Sequence, residues 1–356
     1  MSVRVAFRID ASAALGAGHA MRCLALADAL AERGARCSFV AIGPTPELSA
    51  IFSGAMHPLC LINACAEIDP VRDAAEFLAH LPVDTDWVIV DHYQLDARWE
   101  SIVRPHVRRL LVIDDLADRA HDCDLLLDPG PARIPSDYRQ WVSAQTTLLL
   151  GPAYALLRPA FRARHACAPS WPQSRRVHVF VGGGGHLHAL PMLCNALLDV
   201  DPKLIAVAAG SADPGAMSAL STVFPGRIEW QPHVADMAAH MAACSLAVGS
   251  PGGATWERAC LGLPSALLAT STNQQPVLRT LAALGLCVDL GLVGARSPAT
   301  LKSALQSFLD DVGRLGEMRE RMLRAVDGLG SARVADFIAG ASAGADTGGI
   351  TEGAVR

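Results

Sequence analysis

A histidine and an arginine stand where a predicted strand gives way to a predicted helix. Gly16 and Gly18 follow the apolar run 3–9, and His19 and Arg22 open a helical pattern one turn apart. Free N–H groups at a helix start attract anions, and the same positive end disfavours a charged imidazole. A neutral imidazole can accept a proton, so His19 is a candidate general base. The alternative is a capping histidine on an ordinary strand–helix turn.

A second glycine-rich turn stands in the other half of the chain. Gly252 and Gly253 end the strand-like segment 245–253, and Thr255 and Glu257 begin the next helical pattern. Backbone N–H groups at such a turn could hold a diphosphate, and the Glu257 carboxylate could bind ribose hydroxyls. The alternative for Glu257 is simple stabilisation of a helix N-terminus.

Two further polar clusters follow predicted strands. Asn273 and Gln274 lie in a Thr- and Ser-rich loop after the run 265–270, where they could orient a substrate. A loop with an ordinary helix cap would use the same residue types. Tyr93 ends the run 87–93, directly after an aspartate and a histidine.

The remaining clusters give weaker evidence of a binding or catalytic site. Gly183 belongs to a run of four glycines after the segment 177–181, which would permit close approach of a ligand. Asp114 and Asp115 lack the spacing of metal ligands and are interpreted as solvated loop acids. The histidines at 186 and 188 have no third ligand, so no metal site is predicted, and no cofactor is implied.

Short aliphatic runs separated by helical patterns must position these residues. Such runs lie at 3–9, 37–42, 87–93, 109–115, 124–130, 177–181, 204–210, 227–234, 245–253 and 265–270. They predict an α/β fold of two doubly wound, Rossmann-like domains that face a central cleft. We expect an N-terminal domain at 1–155, a linker at 156–176, a C-terminal nucleotide-binding domain at 177–339 and a flexible tail at 340–356.

Composition excludes several classes of protein. The chain has 356 residues, of which 51 % are apolar and 18 % charged, and its net charge of −5 argues against a general nucleic-acid binder. Ten scattered cysteines without a Cys-x-x-Cys pair favour free thiols in a reducing cytoplasm. We expect a cytoplasmic protein with neither a signal peptide nor a membrane span.

Several of these segments occur in an order that resembles the PseG/SpsG family. They are FRIDAS, GAGHAMRCLALADAL, VDHYQLDARWE, IDDLADRAHDCDLLLDPG, GPAYALLRPAF, SPGGATWERACLGLP and NQQ. The family includes the UDP-2,4-diacetamido-2,4,6-trideoxy-β-L-altropyranose hydrolase of pseudaminic acid biosynthesis and is similar in architecture to the MurG-type GT-B glycosyltransferases. The resemblance implies a UDP-sugar substrate, with water attacking the anomeric carbon and inverting it.

The resemblance also implies roles for individual residues. His19 would position or deprotonate the water, with Tyr93 and Asn273 as its partners around the sugar. Asp10 would lie beside His19 and orient its ring or bind a sugar substituent. The residues implied to bind the rest of the substrate are Gly16, Gly18, Arg22, Gly183, Gly252, Gly253, Thr255, Glu257 and Gln274.

This sequence departs from the family pattern in segments expected to face the substrate. The four glycines at 182–185 replace Gly-Gly-Ser-Asp, Asp128-Pro129-Gly130 replaces Asp-Gln-Asn, and Thr272-Asn273-Gln274 replaces Asp-Asn-Gln. A hydrolase of a related nucleotide sugar and a GT-B glycosyltransferase therefore stay open as alternatives.

Overall fold

The computed structural model describes residues 2–12, 15–63, 68–182 and 187–344. Gly183 and the histidine at 186 lie outside these residues. Within them, two parallel sheets form, with seven strands in the order β3-β2-β1-β4-β5-β6-β7 and six in the order β10-β9-β8-β11-β12-β13. We call each sheet with the helices that cover it a lobe. The predicted α/β class with two doubly wound sheets is confirmed.

Central strands of the first sheet are almost wholly buried aliphatic segments, as parallel strands covered on both faces must be. The elements of this region are β1 (Arg4–Ile9), α1 (Gly18–Ala31), β2 (Arg36–Ile42), α2 (Pro46–Phe52), β3 (Leu59–Ile62), α3 (Pro70–Ala79), β4 (Trp87–Asp91), α4 (Ala97–Val103), β5 (Arg109–Ile113), β6 (Leu125–Asp128), α5 (Pro135–Tyr138), β7 (Thr147–Leu150) and α6 (Pro159–Ala163).

The second sheet repeats the pattern with shorter strands. The elements of the rest of the described chain are β8 (Arg176–Phe180), α7 (Ala189–Val200), β9 (Ile205–Ala209), α8 (Pro214–Val223), β10 (Ile228–Gln231), α9 (Met237–Ala242), β11 (Leu246–Gly249), α10 (Ala254–Leu261), β12 (Ser265–Ala269), α11 (Gln275–Ala283), β13 (Val288–Leu292), α12 (Pro298–Asp310), α13 (Val312–Ala325) and α14 (Gly330–Gly344). Among the helices in the described part of the chain, none is both long and apolar enough to cross a bilayer.

Strand order fixes where each lobe can bind a ligand. In an open parallel sheet the crevice lies at the carboxyl ends of the two strands where the winding reverses. In the first lobe these strands are β1 and β4, and in the second they are β8 and β11. The segments that leave β1, β4 and β11 carry His19, Tyr93 and the Gly252–Gly253 turn.

The chain crosses between the lobes twice, and the two crossings touch. In the first crossing, Leu156 packs in the core of the first lobe and Leu157 in that of the second. In the second crossing, the Ser331 hydroxyl donates to the Leu157 carbonyl over 3.1 Å, and a Cβ on Gly330 would lie 2.2 Å from the Ala155 carbonyl oxygen. The two backbones therefore run against each other.

Helix α14 belongs to the first lobe by packing. Its side chains Val334, Ala335 and Ile338 are buried in the same core as α1. The sequence-based division assigns residues up to 339 to the C-terminal domain and 340 onward to a flexible tail, whereas the helix runs to Gly344 and covers α1. The difference arises because periodicity reveals a helix without revealing which sheet it covers.

Candidate active site

His19 lies in the first turn of α1, with 8 % of its surface exposed. Its Nδ1 is 2.6 Å from Oδ1 of Asp91, the last residue of β4. A carboxylate accepts the N–H of Nδ1, which leaves Nε2 of a neutral ring as the proton acceptor. Adjacent strands β1 and β4 thus assemble a histidine–aspartate pair at the switch point of the first sheet.

Arg22 holds the other side of Asp91. Its Nε and Nη2 each donate to the Asp91 carboxylate over 2.6 Å, and its Nη1 donates to Asp115 Oδ2 over 3.1 Å. Burial alone would raise the pKa of Asp91, but the charges and hydrogen bonds of Arg22 and His19 hold that pKa far below its ordinary value. The sequence predicts Arg22 as a substrate ligand, whereas here its donors are engaged by two carboxylates.

Tyr93 packs edge-on against His19, with ring centroids 4.7 Å apart. The residue is 39 % exposed, so its side chain covers the histidine and also faces solvent. Partial burial, followed by the Asp115 charge, raises the pKa of Tyr93 above its ordinary value. The phenol therefore keeps its proton at neutral pH and donates it in a hydrogen bond to Asp115.

Asp10 does not contact the His19 ring in the way the sequence suggests. It is 5 % exposed, and its carboxylate accepts from Arg8 over 2.7 Å and from the Ile42 N–H over 2.7 Å. The His92 Nε2 lies 3.2 Å from its second oxygen. Asp10 instead holds the segment next to Tyr93, while the ring contact expected of it is made by Asp91.

Arg119 also binds the segment around Tyr93. Its guanidinium donates to the carbonyls of His92 and Leu95, each over 3.2 Å, and pairs with Asp114 at 2.8 Å. The backbone on either side of Tyr93 is therefore tied to the segment that follows β5.

Gly16 and Gly18 shape the approach to His19. Gly16 has φ +77° and donates its N–H to the Ser12 carbonyl over 2.7 Å, so a turn conformation favours glycine there. A Cβ on Gly18 would meet nothing within 4 Å. The space in front of Gly18 is open.

Gly252 and Gly253 also border open space. Added Cβ atoms there would meet nothing within 4 Å, and neither residue has a positive φ. Neither packing nor backbone strain in the free protein requires glycine at these two positions, which leaves room for a ligand close to the backbone. Gly249 differs, because a Cβ there would lie 2.0 Å from the Phe180 carbonyl oxygen.

Several helices of the described chain begin without a side-chain cap, and three of them start at the crevice. Helices α3, α8 and α9 are capped by the side chains of Asp69, Asp213 and Asp236. Helices α1, α7 and α10, which follow switch-point strands β1, β8 and β11, have no side-chain cap among the described residues. The same holds for α5, α6 and α11, whereas α4, which follows β4, is capped by Asp96. The first N–H groups of α1, α7 and α10 are the donors an anion would use.

Thr255 and Glu257 have partners of their own. The Thr255 hydroxyl accepts the Gly252 N–H over 3.2 Å. The Glu257 carboxylate lies 3.5 Å from Arg158, and burial raises its pKa while Arg158 and Arg258 oppose the shift. Glu257 keeps part of its side chain exposed beside the glycine turn.

The polar loop after β12 forms a short 3-10 turn. Gln274 Oε1 accepts the Thr270 N–H over 2.9 Å, and Asn273 is exposed, with its Oδ1 accepting from Ser271 over 2.5 Å. The loop lies at the carboxyl edge of the second sheet. No contact joins Asn273 or Gln274 to His19 among the described residues.

Sequence reasoning missed Asp91, Asp115, Arg158 and Arg258 as parts of these sites. The Asp91 signal was an aspartate at a strand end next to Tyr93, but its pairing with His19 depends on strand order. No group of three or more potential metal ligands exists within the described ranges. A cavity of about 510 Å³ lies between α11 and α13 and includes none of the candidate residues.

Comparisons with known proteins agree with this architecture. No family model matches the chain. The spore coat polysaccharide biosynthesis protein SpsG of Bacillus subtilis (strain 168) is 26 % identical over 205 residues, which cover 55 % of this chain and 59 % of SpsG. The match thus spans about three fifths of the length of that curated relative.

Two solved structures are similar over nearly the whole chain. Acinetobacter baumannii MurG has a TM-score of 0.66 at 14 % identity, covering 95 % of this chain and 99 % of MurG. The S. aureus MnaA–UDP structure has a TM-score of 0.67 at 13 % identity, covering 96 % and 97 %. The predicted resemblance is confirmed at this level: the chain is similar to SpsG over 55 % of its length and has the GT-B fold of MurG.

Proposed function

We propose that the protein is a nucleotide-sugar hydrolase that releases UDP from the anomeric carbon. The observation that carries this proposal is the His19–Asp91 pair, with Nδ1 2.6 Å from the carboxylate and Nε2 left as the acceptor. An imidazole in this tautomer can take a proton from water, and general-base catalysis contributes about 10²–10⁴-fold.

In the proposed reaction, water attacks the anomeric carbon from the face opposite the diphosphate. The bond from the water oxygen to that carbon forms while the bond to the β-phosphate oxygen breaks. The water proton passes to His19 Nε2, and Asp91 stabilises the imidazolium. The products are UDP and a free sugar of inverted configuration, and the proton returns to solvent.

The second lobe would hold the leaving group. The open space at Gly252 and Gly253 and the uncapped start of α10 support diphosphate binding there. Glu257, beside the same turn, is the proposed ribose ligand. Hydrogen-bond donors aimed at a leaving diphosphate stabilise its charge without a metal ion.

The substrate we propose is UDP-2,4-diacetamido-2,4,6-trideoxy-β-L-altropyranose, the substrate of the hydrolase whose motifs the chain resembles. Tyr93 and Asn273 would contact the sugar from the two lobes, Tyr93 through its phenol. This places the activity in pseudaminic acid biosynthesis.

The test is incubation with a panel of UDP-diamino-trideoxy sugars and no acceptor, followed by NMR of the product. We expect release of UDP and free sugar, with inversion at the anomeric carbon. His19→Ala and His19→Phe should bind UDP like the parent while turnover collapses; normal turnover by either would refute the assignment of the base. Binding of the sugar nucleotide without release would favour a glycosyltransferase, in which an acceptor hydroxyl replaces water.

A further inference from the structure

Arg258 is a fully buried arginine beneath the glycine turn of the second lobe. None of its surface is exposed, and its Nη2 donates to the Ser250 carbonyl over 2.8 Å and to the Thr255 hydroxyl over 3.1 Å. Its Nε and Nη1 have no partner within the described part of the chain. No carboxylate of that part lies within ion-pair distance of it.

Burying a charge without a partner is unfavourable, and this lowers the pKa of the buried arginine. Burial lowers the pKa of Arg258 to about 10, with Glu257 acting in the opposite direction. Arg258 therefore remains a cation at neutral pH. Neighbouring His178 adds no further positive charge, because burial and the nearby His240 and Arg258 push its pKa well below the ordinary value.

The position of Arg258 suggests what compensates it. By holding the Ser250 carbonyl inward, it fixes the start of the turn whose next residues, Gly252 and Gly253, border open space. Among the described residues, the charged groups linked to this turn by hydrogen bonds or ion pairs are Arg258, Arg158 and Glu257, and they sum to one positive charge. A ligand with negative charge at the turn would neutralise that excess.

We propose that Arg258 is the buried counter-charge of a bound nucleoside diphosphate. The inference rests on the proposed function, since it assumes that the diphosphate occupies this turn. It adds that Arg258 makes affinity depend on the charge of the ligand without contacting the phosphates. Arg258 is thus a specificity-determining residue that acts through the electrostatic potential and the shape of the turn.

The experiment measures the affinity of uridine, UMP and UDP for the parent protein, Arg258→Gln and Arg258→Lys by calorimetry. We expect Arg258→Gln to lose roughly tenfold in UDP affinity, as for one charge removed across about 10 Å at an effective dielectric constant of about 20. Uridine affinity should change by less than about twofold, because uridine carries no charge for the arginine to attract. Arg258→Lys should keep the preference for UDP and the affinity for uridine.

Arg319→Gln is the matched control. Arg319 donates to the carbonyl of Gly262, at the opposite end of α10, over 2.7 Å. This substitution removes a charge and a carbonyl contact from the same helix but away from the glycine turn. We expect the ratio of UDP to uridine affinity to remain at the parent value.

Each outcome decides the question. Equal losses for uridine and UDP in Arg258→Gln, or no loss at all, would overturn the inference while the proposed function stands. If Arg258→Gln does not fold, Arg258→Lys decides through a pH titration, because a buried lysine loses its charge at a lower pH than arginine. Its ratio of UDP to uridine affinity should fall below that of the parent as the pH rises, and a ratio that follows the parent at every pH would overturn the inference. Failure of the parent to bind UDP would overturn the proposed function, and the inference with it.

Discussion

The substitution Asp91→Asn tests the proposed general base, His19, by changing the residue that binds its Nδ1. An amide oxygen in place of Oδ1 can still accept from His19 and from Arg22 Nη2, whereas the NH2 in place of Oδ2 no longer accepts from Arg22 Nε, so His19 keeps its partner in the same place. The substitution removes the negative charge that would stabilise an imidazolium on His19. It therefore separates the charge of Asp91 from its role in positioning.

The size of the effect follows from the 2.6 Å contact between Nδ1 and Oδ1. Unit charges whose centres are about 4 Å apart interact by about 4 kcal/mol at an effective dielectric constant of about 20. The Arg22 guanidinium, bound to both oxygens of Asp91, offsets part of this. If about 3 kcal/mol remains, kcat falls by about 10²-fold, since 1.36 kcal/mol is tenfold in rate.

The assay is UDP release under saturating substrate, with UDP affinity measured separately by calorimetry. We expect kcat of Asp91→Asn to fall by about 10²-fold and UDP affinity to stay within about twofold of the parent. Asp96→Asn is the control, since Asp96 caps α4 on the same loop and asparagine caps as well as aspartate. A folded Asp91→Asn variant with parental kcat would refute the charge argument.

Two further changes test other parts of the structure. Gly252→Ala should leave the denaturation midpoint near that of the parent but weaken UDP binding at least about tenfold, because its Cβ enters the ligand's space; unchanged binding would move the diphosphate elsewhere. Gly249→Ala, with its Cβ 2.0 Å from a carbonyl oxygen, should instead lower the denaturation midpoint. Burial raises the pKa of Asp128 to about 6, so the folded state keeps a proton that the unfolded state loses, and the free energy of unfolding should fall by up to about 3 kcal/mol as pH rises from about 4 to about 6. Urea unfolding of the parent and Asp128→Asn across this range measures the difference, and identical pH profiles would contradict the shift.

Central strands could be predicted from the sequence, and of the four edge strands only β10 could. The aliphatic runs that form β1, β4 and β5 are evident because both faces of a parallel strand are buried. The strands that went unpredicted, β3, β7 and β13, all lie at sheet edges and are only partly buried. β3 and β7 have only four residues each, and β13 contains an aspartate and a glycine, so their segments carry a weaker pattern.

The residues of the candidate site likewise fall into two groups: those that the local sequence reveals and those that only the order of the strands reveals. His19 and Tyr93 each stand at a strand end, which local sequence reveals. That Asp91, and not Asp10, meets His19 depends on β4 lying beside β1, which no local pattern specifies. Arg8 precedes Asp10 by two residues in an extended segment and takes its carboxylate, a pairing that period-two alternation does make visible.

The two side-by-side crossings between the lobes determine how the crevice can open. Because Gly330 and Ser331 contact residues 155–157, the two connections lie side by side and form a single hinge. A hinge of two adjacent connections permits the lobes to open and close but resists sliding and twisting of one lobe against the other. A single proteolytic cut in the second connection would leave the two sheets covalently joined through the first, whereas a cut in the first would leave them joined by the packing of α14 on α1 without a covalent link.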